Sequence, residues 1–85
     1  MEITEIKVFL KDDRKLKAYV NVVFDNCFII RGLKVIDGSR GHFVSMPSRK
    51  KADGSFADVA HPINNEIRIM IEEKVLDAYE RELKE

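Results

Sequence analysis

The 85-residue sequence predicts an α+β fold: an antiparallel β-meander of four to five strands, with one C-terminal amphipathic helix packed on the sheet. Two observations predict it. Apolar residues alternate with period two through the first two-thirds of the chain, and after Pro62 they recur every three or four residues. Successive strand side chains point to opposite faces, so period two marks a half-buried strand, whereas three- and four-residue spacing gathers one face of a helix.

In "IKVFL", Ile6, Val8 and Leu10 share a face, with Lys7 and Lys11 on the other. In "LKAYVNVVF", Leu16, Ala18, Val20, Val22 and Phe24 oppose Lys17, Tyr19 and Asn21. The polar "KDDRK" between these strands reads as a hairpin loop. Asp25-Asn26 reads as a tight second turn, because both residues tolerate the left-handed region. "CFIIRGLKVID" is a third strand, in which Gly32 marks a bulge or a close backbone approach. "DGSRG" turns the chain into a fourth, "HFVSM", which ends at Pro47 because proline cannot donate to a ladder. The loop "PSRKKADGS" follows, turning at Asp53-Gly54, and "FADVA" is a short fifth strand. With Asn64 as N-cap, Ile67, Met70, Ile71, Val75, Ala78, Tyr79 and Leu83 form the apolar stripe of the helix. Glu72, Glu73, Asp77, Glu80 and Glu82 occupy much of its remaining surface.

This length makes residues 1–85 a single domain, with roughly 60% of the unfolded chain's surface available for burial. One helix cannot cover both faces of a sheet, and Phe9, Tyr19, Val23, Ile29 and Phe43 compete for cover on the second. Exposed strand edges are a liability that self-association removes, so a homodimer through β-strand edges is expected. The apolar runs are far too short to span a membrane, and "MEITEIKVFL" lacks the regions of a signal peptide. The single cysteine, Cys27, cannot form an internal disulfide, and a cytoplasmic location is the expectation.

Catalysis finds no foothold. Cys27 has no neighbouring base to lower its pKa, and a small core residue is the favoured reading. His42 and His61 are scattered, and Asp58 and His61 would share a face only in a helix that Pro62 argues against. The neighbours in Asp12-Asp13 and Glu72-Glu73 point apart. There is no glycine-rich phosphate loop and no nucleophile elbow. The chain reads as a non-enzyme without metal or cofactor.

Charge is the one asymmetry. The formal net charge is zero, with 15 basic and 15 acidic residues. Asn64–Glu85 holds four basic residues against seven acidic, a net of −3, which leaves +3 on residues 1–63. Within the latter, Arg31, Lys34, Arg40, Arg49, Lys50 and Lys51 face Asp37 alone between positions 31 and 51, a net of +5. Three adjacent cations in an exposed loop are commonly a solubilising turn, but each can also meet a phosphate. Phe43 and Phe56 bracket that loop, where they would either stack on bases or be buried.

"FVSMPSRK" (Phe43 to Lys50) and "DVAHPIN" (Asp58 to Asn64), supported by Phe24-Asp25 and "RGLKV" (Arg31 to Val35), resemble the SpoVG family of small bacterial proteins. The similarity runs from Met1 to about Leu83. It implies a sheet with a C-terminal helix, dimerisation through strands, and a regulator that binds DNA, and in some members RNA. In spore-formers such regulators influence asymmetric septation and sporulation. Carried onto this chain, the family's motif places Ser48, Arg49 and Lys50 at the start of the basic loop, and Lys51 extends it. Arg40 lies in the same basic stretch. Relatives also use basic residues near the C-terminus, for which Arg81 and Lys84 are the only candidates in "AYERELKE". The rival expectation is a protein-interaction module acting on a division or signalling partner, which suits the neutral net charge and the acidic helix.

Overall fold

A computed structural model describes residues 1–85. Four strands form one antiparallel sheet in the order β1-β2-β3-β4: β1 (Ile3–Leu10), β2 (Leu16–Phe24), β3 (Phe28–Gly38) and β4 (Gly41–Ser45). Two short strands, β5 (Ser48–Lys50) and β6 (Phe56–Asp58), pair with each other as a separate hairpin. The helix α1 (Asn65–Leu83) closes the chain. Asn64 caps it, its Oδ1 accepting from the Ile67 N–H at 2.9 Å. The helix is not apolar enough to cross a membrane.

The alternation in β2 decides where the core lies. Ala18, Val20, Val22 and Phe24 are buried on one face. Leu33 and Val35 of β3, Val44 of β4 and Met46 join them under Ile71, Val75 and Tyr79 of α1, forming one cluster of 11 buried residues. No polar or charged residue is buried. The expected stripe holds except at its end, where Leu83, beside Leu10 and the loop that follows it, is exposed.

The turn between β2 and β3 obeys local chemistry. Asp25 and Asn26 take φ values of 51° and 52°, and the Cys27 N–H closes the turn on the Phe24 carbonyl at 3.0 Å. The Asp25 carboxylate accepts from the Glu2 N–H, and the Asn26 N–H donates to Thr4 Oγ1, so this turn also anchors the start of β1. Cys27 is therefore not a core residue: the turn places it outside the ladder and its side chain is exposed.

Gly32 is the bulge. Val20 pairs with Leu33 and Val22 with Ile30, so Asn21 faces both Arg31 and Gly32. Gly32 has φ +85°, and its N–H donates to Asn21 Oδ1 at 3.4 Å.

The stretch after Pro47 is more ordered than an irregular loop. Ser48, Arg49 and Lys50 form a strand paired with Phe56–Asp58, so the short strand read in "FADVA" belongs to this hairpin and not to the main sheet.

Leu33 is 1% exposed at the centre of the core. Leu33→Ala should cost about 2–5 kcal/mol, a large share of the roughly 4–13 kcal/mol expected for a domain of this size. The urea midpoint should fall accordingly. Gly32→Ala should cost about 1–2 kcal/mol from its left-handed backbone alone.

Candidate nucleic-acid interface

The hairpin that carries Arg49, Lys50 and Lys51 is fastened at both ends. At its base the Val59 N–H donates to the Pro47 carbonyl at 2.7 Å. At its tip the Lys51 N–H donates to the Ser55 carbonyl at 2.7 Å, and the Gly54 N–H to the Lys51 carbonyl at 3.0 Å. Asp53 folds back inside the turn, its Oδ1 accepting from the Ser55 N–H at 2.9 Å and from Ser55 Oγ at 2.6 Å. The Ser55 hydroxyl and then its amide hold the Asp53 carboxyl below its ordinary value of 3.8. One oxygen of the acid sited among these cations is thus engaged within the turn, while the residue itself is exposed.

Strand pairing sorts the cations by face. Lys50 lies opposite Phe56, and Arg49 opposite Ala57. Lys50 and Phe56 therefore share one face of the hairpin, while Arg49 points from the other. Consecutive cations in an extended strand cannot all grip one phosphate run from the same side. All three are exposed, and neither ion pair of the molecule, His42–Asp37 at 3.9 Å or Arg81–Asp77 at 3.1 Å, involves them. Ser48 is half-buried and lies opposite Asp58, beside an anion. Phe56 is 69% exposed and Phe43 46% exposed, which settles their alternatives in favour of accessible rings.

The remaining candidates lie elsewhere. Arg40 occupies the turn before β4, and the hairpin follows the opposite end of that strand, roughly 17 Å away for five residues. His42, at the same end as Arg40, packs edge-on against Tyr79 with centroids 5.2 Å apart, which brings the last turns of α1 there too. Arg81 is nevertheless not grouped with Arg40: it borders a depression with Ile3, Ile6 and Val8 of β1, at the opposite edge of the sheet from β4. Arg81 is paired with Asp77, and Lys84 is the C-cap, where a cation suits the partial negative charge of a helix end. Burial, and then the nearby Asp37, raise the Tyr79 hydroxyl above its ordinary 10.0. His61 is exposed, with Nδ1 3.0 Å from the Pro62 carbonyl oxygen. No three His, Cys, Asp or Glu side chains converge on a point.

Because the folded Asp53 value is depressed, its stabilisation of the turn is fully present above pH 3.8 and is lost as pH falls through the lower folded value. The Ser55 amide resonance should track that acid transition. In Asp53→Ala the transition should vanish and the Ser55 amide should exchange faster. Global stability should be little changed, as for other exposed positions.

The family model described as SpoVG matches residues 1–81. The chain is 56% identical over 84 residues to the "putative septation protein SpoVG" of Bdellovibrio bacteriovorus, covering 99% of this chain and 78% of that one. It is 51% identical over 84 residues to the protein of that name from Anaeromyxobacter sp. (strain K), covering 99% and 83%. With the Myxococcus xanthus protein of the same name it shares 49% identity over 83 residues, covering 98% and 84%. Matches of this extent run through the sheet, the hairpin and most of the helix, and the chain belongs to the SpoVG family.

Proposed function

We propose that this chain is a nucleic-acid-binding regulator of septation, sporulation or broader gene expression, acting in the cytoplasm without enzymatic activity. The observation that carries this reading is the hairpin: Arg49, Lys50 and Lys51 are exposed and unpaired, while Asp53 bonds Ser55 and none of the three cations. Lys50 beside Phe56 sets a phosphate-binding cation next to a ring on which a base can stack. Arg40, Arg81 and Lys84 lie away from the hairpin and would serve as separate, secondary phosphate contacts. DNA is the expected target, with RNA as the alternative ligand of the same site.

The protein works as a homodimer through its strand edges. The outer side of β1 has no partner strand, and β4 pairs only with Lys34–Gly38, so the Phe28–Leu33 stretch of β3 is open along one side. Two copies would carry two hairpins at a fixed spacing, which multiplies avidity without any new contact.

A second reading is favoured by a different observation. Val59 and Ile63 are 66% and 92% exposed beside the hairpin, an apolar strip that suits a protein partner in division or signalling. Salt separates the two readings.

Labelled duplex and single-stranded oligonucleotides should bind with affinity that falls steeply between two salt concentrations. Replacing Arg49, Lys50 and Lys51 with Ala should weaken duplex binding and reduce the logarithmic salt slope by about 1–2, at about 0.9 for each phosphate left without its cation on the one face of the hairpin that meets the duplex. The circular dichroism spectrum should be unchanged. An unaltered slope would remove the hairpin from the interface, and a salt-insensitive protein complex would favour the second reading.

A further inference from the structure

The face of the main sheet turned away from α1 has no cover. Its register sets side chains in rows across the strands. Phe9 of β1 lies opposite Tyr19 of β2, Tyr19 opposite Lys34 of β3, and Lys34 opposite Ser45 of β4. In the next row Lys7 lies opposite Asn21, and the bulge at Gly32 brings Arg31 to the same side. Lys7, Phe9, Asn21 and Arg31 border one shallow depression of about 230 Å³ in this face. Phe9 is 49% exposed, and Lys11 reaches over the Tyr19 ring, with Nζ 5.8 Å from its centroid.

Charge identifies the occupant. Lys7, Arg31 and Lys34 stand on this face against Glu5, an excess of positive charge around two adjacent rings. A second copy docked face to face would double the excess of positive charge within one interface, and a purely apolar partner would have to strip the cations of water. A polyanion with flat, unpaired bases suits both features: phosphates meet the cations and bases lie on the rings. Duplex offers this face only its phosphates, because its bases are already stacked on one another.

We propose that the uncovered sheet face is a platform for single-stranded nucleic acid, with bases stacking on Phe9 and Tyr19 and phosphates held by Lys7, Arg31 and Lys34. The proposal rests on the nucleic-acid reading above and assigns it a second surface with a preference for unpaired strands. The hairpin grips phosphates on duplex and single strand alike, whereas the platform distinguishes between them.

The test compares the intact chain, the double variant Phe9→Leu/Tyr19→Leu and the hairpin triple variant. Each is titrated with a mixed-sequence 20-nucleotide DNA strand, the matching RNA strand and the DNA duplex. Leucine keeps the apolar contact and removes the ring. Affinity of the double variant for both single strands should fall roughly tenfold to a hundredfold, with duplex affinity unchanged. A direct reading of the ring is also available, because the chain has no tryptophan and only two tyrosines. Tyr79→Phe leaves Tyr19 as the sole tyrosine, whose excited-state lifetime should shorten when single strand is added.

Full single-strand affinity in the double variant, or an unchanged Tyr19 lifetime under saturating single strand, overturns the platform. If the hairpin variant still loses affinity in that case, the wider reading survives. Intact protein that binds no oligonucleotide even at low salt brings down the wider reading, and the platform with it. A double variant that sediments as a monomer, where the intact chain is a dimer and single-strand affinity is retained, makes this face a self-association surface and overturns the proposal.

Discussion

The contact on which this molecule depends is that of Ile71, Val75 and Tyr79 with the apolar face of the four-stranded sheet. All 11 buried residues belong to that single layer. A domain of this size has enough apolar surface for one helix-on-sheet interface and no more. The consequences are geometric. The opposite sheet face is left uncovered, the edges of β1 and β3 lie open, and the β5–β6 hairpin is held by its own hydrogen bonds and its tie to Pro47. Each feature with a candidate function is one the core does not consume.

The join between core and hairpin relies on backbone chemistry. Gly32 accepts a left-handed conformation that lets β3 carry an extra residue, and Pro47 packs near it, 4.0 Å from where a Cβ on Gly32 would lie. Pro47 has no N–H for the ladder, yet its carbonyl accepts from Val59 and so starts the second, smaller sheet. One residue thus ends one sheet and fastens the base of the next. This is how three cations come to project from a hydrogen-bonded hairpin rather than from an irregular loop.

Much of the architecture is legible in the sequence because its signals are local. Alternation in Leu16–Phe24 marks the buried face correctly, Asn64 marks the helix start, and Asp25-Asn26 marks a left-handed turn. Cys27 misleads because buried free cysteine is common, whereas here the preceding turn sets its position before packing has a say. The β5–β6 pairing is less legible, since three-residue strands are too short to show a period. The partnership of Lys50 with Phe56 is visible only once the register is known. The cations on the sheet face stand in plain view as the polar half of an amphipathic pattern. Lys7 lies far from Arg31 and Lys34 in sequence, and Arg31 and Lys34 are three residues apart, so strand order and the bulge at Gly32 are both needed to bring them onto one surface with Phe9 and Tyr19.

Strand order also reconciles a zero net charge with the proposed anionic ligand. The outward positions of α1 carry Glu72, Glu73, Asp77 and Glu80, and the helix covers one side of the sheet while the cations of the open face stand on the other. The molecule measures 37 × 28 × 21 Å, so even its shortest dimension exceeds twice the ~8 Å Debye length at physiological ionic strength. Carboxylates on the helix are therefore largely screened from a strand lying on the sheet. Such a strand meets Lys7, Arg31 and Lys34 with Glu5 as the nearby opposing charge. The acidic helix repels the same polymer from the wrong side. Charge segregated across a thin domain gives orientation that charge summed over the chain would hide, and neutrality overall limits the indiscriminate binding that a uniformly basic surface would bring.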